Sequence, residues 1–213
     1  ANQRYQRSHL RHLLSLKKYG VTEIYINLHY LSENIISSIG NGNKFGIKIY
    51  YKYQAHLNGT AGAVKIFEKE LIGNSPIFVL YGDIIFSDNL NRIIEHYKKT
   101  NSLCTIYMHK RKVSNSILIC TNKERRIIDF FERPTKIEKS RILQNLDLKN
   151  VWTNSSIYLM CPTILEGLSP KKHLDFPVDI FPNIIKQKKL FGIPILGQRF
   201  AIDTPEKYNL AKE

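Results

Sequence analysis

Ser75-Pro76-Ile77-Phe78-Val79-Leu80-Tyr81-Gly82-Asp83-Ile84-Ile85-Phe86 decides how the rest of the chain is read. A proline opens the run and β-branched and aromatic residues fill it, which predicts a strand over 76–82 buried on both faces. Gly82 and Asp83 follow at its carboxyl end. In open α/β sheets, ligands sit outside the carboxyl ends of the strands. A carboxylate at the mouth of an apolar strand is costly unless a cation, a donor or water satisfies it. Asp83 is therefore a ligand candidate; the plain alternative is an aspartate capping the loop after the strand.

Working outward from this strand, helical and extended patterns alternate. An apolar stripe at helical spacing over 6–19 closes at Gly20. A strand pattern follows at 23–28, then a helix at 33–39 that Ser32 can cap. Next come a strand at 46–53, a helix at 61–71 that Thr60 can cap, the strand at 76–82, a helix at 88–99 and a strand at 103–108. This alternation predicts a layered α/β sheet with largely parallel strands. The second half reads differently. Runs at 117–120 and 126–131 bracket the polar turn Thr121-Asn122-Lys123-Glu124 and predict a hairpin. Further strands are expected at 152–160, 190–196 and 199–202, with helices at 177–186 and 205–211. No linker or repeat divides the chain, so 1–213 reads as one domain, a nucleotide-style half (1–110) followed by a mixed half (111–213).

Composition narrows the class. The 213 residues are 43% hydrophobic and 11% aromatic, enough for a real core. No apolar run approaches a membrane span, and residues 1–15 hold no signal-peptide core. Three cysteines, Cys104, Cys120 and Cys161, lie far apart in apolar runs and read as reduced core residues of a cytoplasmic protein. The net charge of +14 suggests nucleic acid as a partner. The basic residues, however, come as scattered pairs at helix ends and turns, where they are solvated or complement a helix carboxyl terminus. A nucleic-acid function is not expected.

Several stretches can carry chemistry. Asn58-Gly59-Thr60-Ala61-Gly62-Ala63 joins a strand to a helix, and its small residues let backbone amides approach a ligand; the alternative is a tight turn with a Thr cap. Asp203 ends the short apolar strand Phe200-Ala201-Ile202 just before a helix. Together with Asp83 it can hold one magnesium ion, which prefers one or two carboxylates plus substrate phosphates; alone, it can cap the last helix. Glu132 beside Arg133 suits sugar hydroxyls and phosphate respectively, or is a solvated surface pair. Asn154 sits in an apolar strand, where a buried amide must find partners. His9 and His12 share a helical face, but nothing nearby completes a metal site.

These pieces in this order resemble the sugar-1-phosphate nucleotidylyltransferases, closest to the mannose-1-phosphate guanylyltransferase-like branch. The resemblance rests on Tyr19-Gly20-Val21-Thr22, Asn27-Leu28-His29-Tyr30, Gly59-Thr60-Ala61-Gly62-Ala63, Tyr81-Gly82-Asp83, Phe131-Glu132-Arg133-Pro134, Asn154, Asp175 to Pro182, and Ile202-Asp203-Thr204-Pro205-Glu206. It implies a Rossmann-like mixed, mostly parallel sheet flanked by helices, with a smaller mixed sugar-binding half. The implied reaction is attack of a sugar 1-phosphate on the α-phosphorus of an NTP, giving an NDP-sugar and pyrophosphate, by positioning and electrostatics and with Mg2+ as cofactor. It further implies that Asp83 and Asp203 hold the metal, that Gly59, Thr60 and Gly82 bind the nucleotide, and that Glu132, Arg133 and Asn154 bind the sugar phosphate. NTP and sugar 1-phosphate are the implied partners, membranes are not, and a homo-oligomer is compatible with the family.

Two departures stand out. The family opens with a first strand and a glycine-rich phosphate loop, whereas Ala1-Asn2-Gln3-Arg4-Tyr5-Gln6-Arg7 holds no glycine. On this reading the sheet lacks a central strand. The chain is then an amino-terminally truncated enzyme, expected to be nearly inactive as it stands, or a catalytically inactive relative that binds a nucleotide sugar or a partner subunit. Position 133 is arginine where the family usually has lysine.

Overall fold

The computed structural model describes residues 16–73, 76–110, 118–145, 147–169, 173–202, 204 and 206–207. Most of the stripe at 6–19, including His9 and His12, lies outside them, as do Asp203 and most of the expected helix at 205–211.

The elements alternate as the sequence pattern requires. In order they are β1 (Glu23–Leu28), α1 (Ser32–Ile39), β2 (Lys48–Tyr53), α2 (Gly59–Lys65), α3 (Glu68–Leu71), β3 (Ile77–Leu80), β4 (Ile84–Phe86), α4 (Asn91–Thr100) and β5 (Cys104–His109). The second half adds β6 (Leu118–Thr121), β7 (Ile127–Phe131), α5 (Lys136–Asn145), β8 (Val151–Met160), α6 (Phe181–Lys186), β9 (Leu190–Pro194) and β10 (Arg199–Ala201). The expected hairpin is β6–β7.

The architecture is a mixed α/β sheet flanked by helices. Strands β7, β6, β8, β5 and β9 lie in that order, and β3 pairs with β8. β8 runs antiparallel to β3, β5 and β6, while β5 and β9 are parallel. β1 and β2 form a separate parallel pair, and β4 pairs antiparallel with β10. Period-two alternation sorts the apolar residues of β5 and β8 onto two faces. Ile106, Met108, Tyr158 and Met160 pack under Phe176, Phe181, Ile184 and Ala61. Tyr107, Ile157 and Leu159 pack against Leu90, Ile93 of α4 and Leu16. No helix among the described residues is long and apolar enough to cross a membrane. Cys104, Cys120 and Cys161 are free thiols, the first two buried.

Three local expectations change. β3, expected to be buried on both faces, is only half-buried over Ile77 to Leu80. The reason is a cavity of about 1020 Å³ between β3 and β1, lined by Ile24, Ile26, Phe78, Leu80, Val64 and Phe67 among others. Neither strand pairs with another along that cavity among the described residues. Asn27 borders the same space, and its Oδ1 is buried with no partner. Second, the helix expected over 61–71 breaks between α2 and α3. Lys52 Nζ donates to the Ile66 carbonyl (2.8 Å) while Phe67 turns into the core. Third, neither Ser32 nor Thr60 caps its helix. Leu31, at φ 55°, precedes α1, and no side chain bonds to the first-turn amides; Thr60 is spent elsewhere, as described next.

Candidate active site

The site lies where the carboxyl ends of the strands meet. β1 and β2 are parallel, and the chain after β2 runs into α2, whose Thr60 lies beside Tyr81 at the end of β3. Beyond β3 the backbone continues along β8, with the Tyr81 N–H donating to the Ser156 carbonyl (3.2 Å). The Ile202 N–H donates to the Asp83 carbonyl (2.7 Å). That bond sets the end of β10 against the end of β3. Asp83 and Gly82 are exposed, and both line the same cavity as Thr60 and Tyr81. The expected partner of Asp83, Asp203, lies outside the described residues, one position past Ile202.

Gly59 and Thr60 behave differently from their expected role as an open cradle. The first amides of α2 are already taken. Thr60 N–H donates to Asp175 Oδ1 (2.8 Å), and the Ala61 and Gly62 N–H groups donate to the Leu174 carbonyl (2.9 and 3.1 Å). The Leu174 N–H returns a bond to the Asn58 carbonyl (2.9 Å). The Thr60 hydroxyl donates to Asp175 Oδ1 (2.9 Å) and accepts from the Phe176 N–H (3.1 Å). The orphan donors of a helix start thus clamp the segment His173–Phe176 onto α2. Gly59 has to be glycine here. Its φ is +76°, and an added Cβ would lie 2.4 Å from the Leu174 carbonyl oxygen.

On the sugar side, Glu132 and Arg133 sit just past β7, with Arg133 at φ 49°. The Arg133 side chain is 86% exposed and lies 3.7 Å from the Glu132 carboxylate. Burial pushes the Glu132 pKa up, the Asp175 charge adds to this, and Arg133 opposes it. Asn154 is buried, and both ends of its amide are engaged. Nδ2 donates to the Tyr158 hydroxyl (2.7 Å), while Oδ1 accepts from the Ser156 N–H (2.9 Å). The Tyr158 hydroxyl donates in turn to that of Tyr81 (3.3 Å). Asn154 thus holds a tyrosine pair in place instead of presenting its own amide outward. Burial raises the pKa of both tyrosines, so each keeps its proton and can donate.

An aromatic floor joins these groups. Rings of Tyr81 and Tyr158 (5.8 Å), Tyr158 and Phe176 (5.6 Å), Phe176 and Phe181 (5.8 Å), and Phe181 and Phe130 (5.2 Å) are in contact. This chain carries β3, β8, the 173–181 segment and β7 into one wall. Tyr81, Tyr158, Asp175 and His173 were given no role by sequence reasoning. The signal for Asp175 was its spacing from Asp179, whose Oδ2 accepts from the Asp175 N–H (2.7 Å). His173 Nδ1 lies 3.6 Å from Asp175 Oδ2. Among the described residues, no group of three or more His, Cys, Asp or Glu side chains is arranged to hold a metal.

The fold and this strand-end site define an α/β protein of the nucleotide-diphospho-sugar transferase type. Residues 7–195 match the nucleotidyl transferase family, and the chain belongs to it. It is 24% identical over 204 residues to a mannose-1-phosphate guanyltransferase of Debaryomyces hansenii, covering 93% of this chain and 53% of that protein. It is 25% identical over 205 residues to a probable mannose-1-phosphate guanylyltransferase of Arabidopsis thaliana, covering 93% and 58%. The chain therefore spans little more than half the length of these relatives. Similar solved structures include a putative glucose-1-phosphate thymidylyltransferase from Bacillus anthracis in complex with a sucrose (TM-score 0.76, 21% identity, 93% of this chain and 78% of that one). Another is HddC from Yersinia pseudotuberculosis complexed with GMP-PN (TM-score 0.71, 21% identity, 96% and 82%).

Proposed function

We propose that the protein belongs to an enzyme that transfers NMP from an NTP to a sugar 1-phosphate, releasing pyrophosphate and an NDP-sugar. The observation that carries this reading is the Ile202 to Asp83 backbone bond (2.7 Å), because it draws the strand ends of both halves of the chain to one point beside Thr60 and Tyr81. In this reading 1–110 is the nucleotide half and 111–213 the sugar-phosphate half. The names of the relatives favour a hexose 1-phosphate acceptor.

Asp83 and Asp203 would hold Mg2+. An exposed carboxylate beside an open cavity fits a hard cation that shares its shell with phosphates and water. When bound, the metal would offset the negative charge on the transferring phosphate. The remaining work falls to this chain's own residues. Gly82 and the Gly59–Thr60 corner border the nucleotide, Glu132 accepts from sugar hydroxyls, and Arg133 meets the sugar phosphate. Asn154 acts at that rim through Tyr158 and Tyr81. No protein nucleophile is needed, since orientation and electrostatics suffice for an in-line displacement. Free cysteines support a cytoplasmic location.

Incubating the intact gene product with GTP or dTTP, Mg2+ and hexose 1-phosphates should release pyrophosphate only when both substrates are present. A second reading, a nucleotide-sugar binder without turnover, is favoured by the cavity between β1 and β3, which opens directly beside Gly82 and Asp83. Binding of an NDP-sugar with no pyrophosphate released by any pair would select that reading and reject the first.

A further inference from the structure

We infer that Asp175 is a second sugar-recognising carboxylate of this site and that Thr60 is the residue that positions it. The inference rests on the reading above and names a recognition group within the same site. Asp175 Oδ1 is fixed by two donors of one residue, the Thr60 N–H (2.8 Å) and hydroxyl (2.9 Å). Its backbone N–H is fixed by Asp179 (2.7 Å), and the next N–H, that of Phe176, returns to the Thr60 hydroxyl (3.1 Å). Such a carboxylate has one defined rotamer and one oxygen, Oδ2, left toward the open side, where exposed His173 lies 3.6 Å away. The side chain is 33% exposed, so it is held firmly yet reachable.

The surroundings specify what it can recognise. Asp175 directly precedes Phe176, and Glu132 comes two residues after Phe130; both rings pack on Phe181. The two carboxylates therefore rise from neighbouring parts of one aromatic floor, and the charge of each is felt at Tyr81. Ionised carboxylates accept hydrogen bonds and cannot donate them. Two of them side by side repel a phosphate and attract hydroxyl donors. Of the rings in this set, Phe176, Phe181 and Tyr158 are fully buried, and the half-buried Phe130 and Tyr81 are the ones that can meet the C–H surface of a sugar. The anionic end of the substrate is left to Arg133, whose guanidinium is almost fully exposed. Asp175 thereby contributes to selection of a polyol ring, and Thr60 serves sugar recognition although it sits at the start of the nucleotide-side helix.

The test is calorimetric titration of the 213-residue protein with GDP-mannose and dTDP-glucose, using GDP and dTDP as sugar-free controls. Asp175→Asn keeps an oxygen for the Thr60 donors and removes the charge; equal melting temperatures would verify that the clamp persists. The expected result is affinity for the bound NDP-sugar lower by about tenfold, as for loss of a charge-assisted hydrogen bond, with the matching free nucleotide unchanged. Thr60→Val should lower affinity for the same NDP-sugar to a similar extent, Thr60→Ser should restore it, and the double variant should be no worse than the weaker single one. In Asp175→Asn, equal losses for nucleotide and nucleotide sugar or no loss at all, or failure of Thr60→Ser to restore binding, would overturn the inference. If the unaltered protein binds none of the four probes, the underlying reading fails before any variant is compared, and the inference falls with it.

Discussion

Replacing Gly59 by alanine should cost this protein far more than the same change at Gly73, although both glycines have positive φ. Gly73, at φ +87°, has nothing within 4 Å of an added Cβ. Its substitution adds only left-handed strain, about 1–2 kcal/mol. At Gly59, φ +76°, the new Cβ would sit 2.4 Å from the Leu174 oxygen and 2.7 Å from its carbonyl carbon. Backbone cannot rotate away as a flexible side chain can, so the segment at 173–176 must lift off α2. Lifting it breaks the bonds from Ala61 and Gly62 to Leu174 and from Thr60 to Asp175. At about 1 kcal/mol net for each such bond, the Gly59 variant should lose roughly 3 kcal/mol more than the Gly73 variant. Urea unfolding of the three proteins, compared at constant m, measures the difference directly. A gap below about 0.5 kcal/mol, well under the net value of one such hydrogen bond, would refute the claim that the helix start is used as a clamp.

Tyr158→Phe removes the acceptor of the buried Asn154 amide and the donor to Tyr81; a loss of about 1–3 kcal/mol in denaturant titration is expected, against little change for exposed Tyr30→Phe. Thr135 and Glu138 exchange hydrogen bonds at the start of α5, so Thr135→Ala should cost about 1 kcal/mol and speed amide exchange first in α5. Glu132 holds its proton to higher pH in the folded protein than in the unfolded chain, mainly through burial. The native state therefore binds more protons between the two pKa values, and stability falls as pH rises through that window. Glu132→Gln should match the parent protein in acid and melt higher above the window; parallel melting curves at every pH would remove the effect.

Much of this was legible because periodicity is a property of the residues themselves. The hairpin around Thr121 to Glu124, the strand of β8 and the strand–helix alternation before Met108 needed no tertiary information. The exposed position of Asp83 past β3 was legible for a similar reason, a carboxylate at the end of an apolar run. The clamp was not. Thr60 and Asp175 are 115 residues apart, and only folding shows that the Thr60 hydroxyl has a carboxylate as its partner. Asn154 was correctly expected to be buried with partners, but nothing in its neighbours told which way its amide would face. α5 was missed despite a readable signal, the Thr135-Lys136-Ile137-Glu138 capping box, because its exposed residues give little apolar periodicity. The half-burial of β3 is not legible, since sequence cannot report that one flank of a strand faces a cavity.

The central claim is that Asp83 marks the catalytic end of a nucleotidyl-transfer site. Pyrophosphorolysis of GDP-mannose and dTDP-glucose by the intact gene product, in Mg2+ and labelled pyrophosphate, tests it most directly. The account predicts label appearing in GTP or dTTP with the unaltered protein and none above background with Asp83→Asn, at unchanged melting temperature. Label incorporation that survives Asp83→Asn, or none from either donor with the unaltered protein, would contradict it.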